Sequence, residues 1–502
     1  MKKILSLLLS RLTLIGILVL AQFIFLVLLI NYFSTYWYYV QISLLILSLL
    51  MVIYILTRKD NPAYKLAWII PILIFPVFGG FFYLFFRTQN LSVTSVGHLY
   101  QIVKERQYVL SQKLRYKEKG DYHKVETFLE NRIWPSYTAT NSTFLSSGEQ
   151  KLEYLLKDLQ NAEKFIFMEY FIITQSHMWE SILSVLKEKQ KSGVEVRIMY
   201  DDFGSANKLP LGYHRKLASY GFKVVTFNKL RLHLNFAMNY RDHRKIVVID
   251  GKIGYTGGIN IGDEYTNEEK RFGHWHDAAI RLEGDAVWSL TVLFLENWRF
   301  QTHEKTDYQK YHVDYQSKNP EGLYIPFGDL PLDSNLVSKN IYLSLIGSAK
   351  KKLYIATPYL ILDNELVTAL TLAASSGIDV NIVIPGIPDK KMVYMVTESY
   401  VPDLLSAGVK VYKYNPGFIH SKIIVCDDEA AMIGTSNLDY RSLYLHFENN
   451  VFLYNTQSIN DMVTYFKETI KDSSLVSAKE MKKRNIFYRA LQTILRAFSP
   501  LL

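Results

Sequence analysis

Apolar residues are spread along this chain in two regimes, long uninterrupted runs at the amino terminus and short periodic ones thereafter. From Leu12 to Ile30 nineteen residues carry Gln22 as their one strongly polar member, about the length that crosses ~30 Å of hydrocarbon at ~1.5 Å per residue. A second run follows from Val40 to Leu56, and the loop between them holds Tyr32, Phe33, Tyr36, Trp37, Tyr38 and Tyr39 without a charge, the pattern of an interfacial aromatic belt. Lys2, Lys3 and Arg11 precede the first run, and Arg58, Lys59 and Lys65 follow the second. The positive-inside tendency then predicts a helical hairpin, spanning about 12–30 and 38–57, with both ends in the cytoplasm. A cleaved signal peptide would need a small-residue site after Ile30, and a second apolar run comes there instead. A third segment, Leu66 to Phe86, contains Pro71, Pro76 and Gly79-Gly80, which disfavours a straight helix and predicts a re-entrant or interfacial element. The membrane region is thus 1–87, followed by a polar connector over 88–135.

Beyond Leu152 the pattern alternates. Lys164 to Ile173 reads as a strand, Trp179 to Lys189 as a helix, and Val194 to Tyr200 and Phe222 to Phe227 as strands. The same order returns in Lys352 to Leu360, Asn364 to Ser376, Val380 to Pro385 and Val409 to Tyr414. Each series ends in a similar string, HRKIVVIDGKIGYTGGIN from His243 to Asn260 and HSKIIVCDDEAAMIGTSN from His420 to Asn437. At one offset His243 falls on His420, Lys245 on Lys422, Asp250 on Asp427, Gly257 on Gly434 and Asn260 on Asn437. The apolar run between each Lys and Asp predicts a buried strand with His and Lys on the same face at its start. The chain is therefore α/β and internally duplicated, with repeats over 136–318 and 319–478.

Charge and cysteine content narrow the function only a little. The 502 residues include 57 Lys and Arg against 47 Asp and Glu, a net +10, which suits an anionic partner such as nucleic acid or an acidic membrane. The single cysteine, Cys426, excludes an intrachain disulfide and reads as a small core residue in its strand.

The doubled motif carries the chemistry. A phosphodiester is a stable anion, so its cleavage needs cations on the non-bridging oxygens, a nucleophile, and a proton for the departing oxygen. Two motifs brought together supply Lys245 and Lys422, the amides of Asn260 and Asn437, and two imidazoles, one to attack phosphorus and the other to protonate the alkoxide. That division requires His243 and His420 to face each other across a pseudo-two-fold interface. Gly257, Gly258 and Gly434 are expected to let backbone approach the phosphate. Each imidazole also needs an acceptor at its other nitrogen. Asp277, 34 residues beyond His243, and Glu448, 28 beyond His420, open the next apolar strand of each repeat and are the proposed orienting carboxylates. Asp250 and Asp427 follow their strands and read as turn or cap residues. Asp201-Asp202, followed by Gly204 and Ser205 with no ligand cluster nearby, reads as a turn rather than a metal site. His233, His274 and His276 flank the site in sequence without a catalytic assignment.

The twin HxKxxxxD patterns, each followed by Gly at +14 and Asn at +17, resemble the phospholipase D superfamily. NPAYKLAWIIPILIFPVFGGFFYLFF, EYF and YDDFGS make the chain similar, within it, to the bacterial cardiolipin synthases. That resemblance implies two phospholipase D-like α/β/α sandwich domains after a membrane-embedded helical region, in a multi-pass protein of the bacterial plasma membrane. It implies phosphatidyl transfer between two phosphatidylglycerol molecules with release of glycerol and no metal or other cofactor. By the same resemblance His243 is the nucleophile, His420 the acid and base, and Asp250 and Asp427 join the catalytic set. Thr435-Ser436 stand where the first motif has Gly258-Ile259. A hydrolytic phospholipase D or a nuclease shares the core, although two membrane helices offer a nuclease no benefit, and intact motifs in both copies argue against an inactive scaffold. Partners are then anionic membrane lipids rather than nucleic acid. The segment 479–502 sets Lys482, Lys483, Arg484, Arg489 and Arg496 beside Phe487, Leu491, Ile494, Leu495 and Phe498 at helical spacing. It is either a helix lying on an anionic membrane or one docked on the protein's own body.

Overall fold

The computed structural model describes residues 20–21, 23–25, 27–28, 36–58, 60–75, 79–80, 83, 93–111, 120–229, 240–331 and 336–501. His233 and most of the first apolar run lie outside them. The chain divides into two compact units, one of residues 1–90, 234–236 and 493–502 and the other of 91–233 and 237–492.

In the smaller unit, Trp37–Leu56 is a continuous helix. Its Tyr38–Leu56 stretch has a mean hydropathy of 2.4 and is the one helix among the described residues long and apolar enough to cross a bilayer. Leu45, Leu49 and Leu50 are exposed on it. Asn61 caps the next helix, Pro62–Ile74, by accepting from Ala63 N at 2.8 Å, with Pro62 in its first turn. That helix has 13 residues, a rise of ~20 Å, which falls short of the hydrocarbon thickness. The segment from Leu66 to Phe86 is not one straight helix: Gly79 lies so close to this helix that an added Cβ would stand 2.5 Å from Pro71 O. Ile55, Trp68, Ile72 and Tyr83 form a small core, with Leu501 packed against it.

The larger unit holds two mixed sheets. The first contains β1 (Thr140–Leu145), β2 (Phe165–Tyr170), β3 (Glu195–Asp201), β4 (Lys223–Phe227), β5 (Lys245–Ile249), β6 (Ile253–Gly257) and, after the short β7 (His274–His276), β8 (Ala279–Gly284), in the order β1-β8-β6-β5-β2-β3-β4. The second contains β9 (Leu323–Asp329), β10 (Lys352–Ala356), β11 (Asp379–Pro385), β12 (Lys410–Tyr414) and, after the short β13 (Gly417–Ile419), β14 (Ile423–Cys426), β15 (Ala430–Gly434), β16 (Glu448–Tyr454) and β17 (Ser473–Leu475). Its order, β9-β16-β15-β14-β10-β11-β12-β17, repeats the first and adds one edge strand. In each sheet three strands run parallel, β2-β3-β4 and β10-β11-β12, and the motif strands β5 and β14 pair antiparallel to their neighbours. Of the antiparallel half, β1 and β6 were not legible as pattern, because they read TNSTFL and IGYTG, without sustained alternation.

Both faces of the central strands are covered, which is why they read as unbroken apolar runs. Ile166, Met168 and Tyr170 of β2 share a core with Leu155 and Leu159 of helix Gly148–Gln160 and Trp179 and Leu183 of helix His177–Lys191. Phe167, pointing the other way, stacks on Phe294 at 4.6 Å. Phe294 belongs to helix Val287–Thr302, which is buried around nearly its whole circumference. Ser147 and Ser176 cap the first two helices through Gln150 N and Trp179 N. Cys426 is buried in β14, 3.2 Å from Tyr122 Oη.

Near the carboxy terminus, helix Ile486–Ala497 presents Ile486, Phe487, Leu491 and Ile494 to the outside. Its first residues bond within the larger unit, Tyr488 Oη to Glu398 at 2.9 Å and Gln492 Nε2 to Met395 O at 3.1 Å, with Arg484 just before the helix paired to Glu398. Leu495 and Phe498 of the same stripe are half-buried.

Gly257, the last residue of β6, has φ +145°, and an added Cβ would stand 2.5 Å from both Ala278 O and Ala279 Cα. Gly257→Ala is expected to cost ~2 kcal/mol through strain and clash. Gly347→Ala, at a helical site where the new methyl meets nothing within 4 Å, is expected to gain ~0.5–1 kcal/mol. Chemical denaturation of the two variants beside the parent checks both; a neutral Gly257→Ala would refute the packing constraint.

Candidate active site

The two motif strands begin where the repeats meet. β7 of the first repeat pairs in parallel with β13 of the second, Ile419 opposite His276, and an isolated parallel bridge joins Asp242 to Phe447. His420 N donates to His276 O at 2.7 Å, and His243 N donates to Phe447 O at 2.9 Å. Each histidine is thus set beside the residue that precedes the other repeat's carboxylate. The side chains complete the exchange: His243 Nδ1 lies 2.9 Å from Glu448, and His420 Nδ1 lies 2.6 Å from Asp277. Sequence spacing put one carboxylate in each repeat. The structure brings all four groups together and gives each carboxylate to the histidine of the other repeat.

Burial dominates the electrostatics. His243 and His420 are 7% and 8% exposed, and Asp277 and Glu448 are fully buried. Burial pushes the His243 imidazole down to about 3, against the opposing pull of Glu448, and His420 down to about 4, with Lys422 adding to the effect. Both rings are therefore neutral at rest. A neutral ring that donates Nδ1–H to a carboxylate keeps its lone pair on Nε2. Glu448 is held below its usual carboxylate range in spite of burial, by His243 first and by His446 next, and hydroxyls of Thr435 and Ser442 also donate to it. Asp277 is likewise held below its usual range by His420 and Lys422 in spite of burial.

Lys245 Nζ donates to His243 O at 2.6 Å, and Lys422 Nζ donates to His420 O. Burial lowers Lys245 to about 8 and Lys422 to about 7. Asn260 is fixed by both ends of its amide, accepting from Ile172 N at 3.1 Å and donating to Tyr265 Oη at 3.0 Å. Asn437 is buried with its Oδ1 unpartnered.

Other expected members stand elsewhere. Asp250 and Asp427 lie at the far ends of β5 and β14, five residues beyond each Lys, or ~16 Å along a strand. Asp250 accepts from the backbone N–H of Glu163, Lys164 and Phe165 at 2.7–2.9 Å, and Asp427 from Lys350, Lys351 and Lys352 at 2.7–2.9 Å. Both also take positive φ, so the pair named with the catalytic set clamps strand ends to the preceding loops. Gly257, Gly258 and Gly434 have close neighbours of their own. A Cβ on Gly258 would stand 2.1 Å from Asp277 Oδ1, and one on Gly434 2.3 Å from Asn450 Oδ1 and 2.4 Å from Asn449 O. These glycines let β6 and β15 approach their neighbours and, at Gly258, make room for the carboxylate. Asp201 caps the turn at Phe203 and Gly204, each at 2.9 Å. His276 lies between the rings of Tyr414 and Tyr465, and His274 bonds Tyr414 Oη at 2.8 Å.

Three neighbours were not found from sequence. Lys151, a fully buried third lysine, donates to Ile259 O at 2.8 Å. Trp275 sits with its ring 5.2 Å from His420, and His446 with its ring 5.6 Å from His243. Trp275 precedes Asp277 by two positions as His446 precedes Glu448, so aligning the two carboxylates would have exposed both.

Comparison with known proteins identifies the family. A family model described as "Cardiolipin synthase, PLD-like domain" matches residues 155–273 and 342–470, and one described as "Phospholipase_D-nuclease N-terminal" matches 46–87. A cardiolipin synthase of Alkalihalophilus pseudofirmus is 37% identical over 462 residues, covering 90% of this chain and 91% of that one. Cardiolipin synthase 2 of Bacillus cereus is 39% identical over 469 residues, covering 89% and 88%. The crystal structure of a phosphatidylserine synthase from Haemophilus influenzae superposes with a TM-score of 0.58 at 16% identity, covering 76% of this chain and 98% of that one, a likeness of fold.

The crossed pairing is tested with 15N-labelled histidine. Glu448→Gln is expected to shift the Nδ1 resonance of His243 and leave that of His420, and Asp277→Asn to do the reverse, each with a ~10–100-fold loss of turnover. Shifts confined to the histidine of the same repeat would overturn it.

Proposed function

The chain belongs to the cardiolipin synthase family of phospholipase D-like proteins, and from that premise we propose the chemistry of its site. The enzyme is a cardiolipin synthase that moves a phosphatidyl group from one phosphatidylglycerol to the glycerol hydroxyl of another. The observation that carries the reading is the exchanged pair of histidine–carboxylate contacts, which supplies two oriented imidazoles at one junction. Nε2 of one ring attacks phosphorus, the P–O bond to glycerol breaks, and the other ring gives its proton to the departing oxygen. In the second half, the hydroxyl of the incoming lipid returns a proton to that ring, its oxygen bonds phosphorus, and the P–N bond breaks. The family resemblance assigns the attack to His243 and the proton to His420. Both rings are neutral at rest, and a bound phosphodiester supplies the negative charge that favours protonating one of them. Lys245, Lys422, Asn260 and Asn437 are assigned to the non-bridging oxygens.

The same reading extends to the membrane. Residues 12–30 and 38–57 form a two-span hairpin, the short helix Pro62–Ile74 does not span, and the two α/β/α sandwiches form a pseudo-two-fold body on the cytoplasmic face of the bacterial plasma membrane. The outward apolar stripe of helix Ile486–Ala497, with Lys483, Arg489 and Arg496 beside it, supports its lying in the plane of an anionic leaflet. Anchoring confines enzyme and both lipids to one surface, which raises the effective concentration of the lipid hydroxyl.

Incubating the solubilised protein with phosphatidylglycerol alone is expected to yield cardiolipin and glycerol in equal amounts. Phosphatidic acid without cardiolipin would instead establish hydrolysis. His243→Ala and His420→Ala are each expected to abolish turnover, and near-normal turnover in either would remove the shared site.

The lysine shifts set a pH dependence. A lysine lowered to about 7 or 8 loses its charge as pH rises through that value, so kcat/KM is expected to fall between pH 7 and pH 9. Lys422→Arg keeps its charge throughout, and the residual activity of this variant is expected to lose the Lys422 part of the fall. An unchanged profile would contradict the assignment.

A further inference from the structure

His446 has both ring nitrogens buried and neither has a hydrogen-bond partner, a costly state for a polar side chain in the interior. Its Nδ1 is 3.8 Å from Glu448 Oε1, too far for a hydrogen bond, and its ring is 5.6 Å from that of His243. His243, His446 and Glu448 each offer one ligand atom, and the three lie within 4.8 Å of one another. Among the described residues this is the one group of histidine, cysteine and carboxylate side chains placed to hold a metal ion. Two imidazoles and a carboxylate suit a borderline divalent cation such as Zn2+. Ligand bonds of about 2.0–2.2 Å in tetrahedral geometry put donor atoms ~3.3 Å apart. The separations of 2.9 Å from His243 to Glu448 and 3.8 Å from His446 to Glu448 bracket that value. The remaining closure falls to His446, whose nitrogens have no hydrogen bonds to break.

We propose that His243, His446 and Glu448 form an inhibitory transition-metal site, one per chain, that withdraws His243 from the reaction. The face of His243 turned to Glu448 carries Nδ1. A cation bound there takes the Nδ1 lone pair, and the ring proton moves to Nε2. The lone pair that would attack phosphorus is then gone, and no atom is gained or lost by the ring. Glu448 is at the same time drawn to the cation. The other histidine has no such site: Trp275 occupies the matching place beside His420, and an indole offers no ligand nitrogen. The inhibitory part rests on the reading of His243 as catalytic; the binding part does not.

The test titrates Co2+ into the purified full-length protein and follows the visible absorption of four-coordinate cobalt(II). One equivalent is expected to bind, and Zn2+ to displace it. His446→Asn and His446→Gln are each expected to weaken Co2+ binding by tenfold or more while circular dichroism stays that of the parent. One equivalent of Zn2+ is expected to stop cardiolipin formation in the parent, a chelator to restore it, and His446→Asn to resist it. Absence of the cobalt signal, equal binding by a folded His446 variant, two equivalents per chain, or full transfer by the zinc-loaded parent would each overturn the proposal. A protein that makes no cardiolipin but shows the His446-dependent cobalt signal would refute the proposed function and leave the metal site standing.

Discussion

The exchange of carboxylates between the two repeats is the constraint on which the site depends. His243 and His420 are almost entirely buried, and burial alone strips an imidazole of charge without orienting it. Orientation comes from Glu448 and Asp277, and each reaches its histidine only because the backbone of one repeat bridges to that of the other, at Asp242 with Phe447 and at Ile419 with His276. The contact between the repeats is therefore part of the chemistry. Arg244, fully buried between the two motif residues His243 and Lys245, reinforces it by donating to the carbonyls of Glu448, Leu293 and Asp329. One guanidinium thus ties the start of β5 to the strand that carries the orienting carboxylate of the other repeat.

The matched halves are not identical, and the differences are local. Glu448, the longer carboxylate, accepts from Thr435, whereas Asp277, shorter by one methylene, sits against Gly258, where a side chain would collide with it. Thr435 and Gly258 occupy corresponding places, so the asymmetry of the motifs is a packing adjustment to two carboxylates of different length. Burial lowers Lys151, Lys245 and Lys422 together, and a phosphodiester arriving beside them favours their charged form.

Much of this was legible in the chain. The twin motifs, the parallel strands before them and the two orienting carboxylates all follow from spacing and apolar runs, because those features are local. The crossing of the carboxylates is not, since it depends on a parallel contact between β7 and β13, each three residues long and without a pattern of its own. Asp250 and Asp427 show the converse. Their position just past a strand gave the cap reading directly, while family likeness alone had put them among the catalytic groups. Gly257 and Gly434 predict close approach of backbone to something, and the structure shows the neighbouring strand against each. A glycine in sequence reveals that something comes close and not what.

His243 and Glu448 are 205 residues apart, and His420 and Asp277 are 143 apart. During synthesis, at about 5–20 residues per second, on the order of 10–40 s separate the making of His243 from that of Glu448, and about 7–30 s separate Asp277 from His420. Until then His243 has no carboxylate and Asp277 no imidazole. Both histidine–carboxylate pairs can therefore be present only once the chain has been made as far as the strand that begins at Glu448.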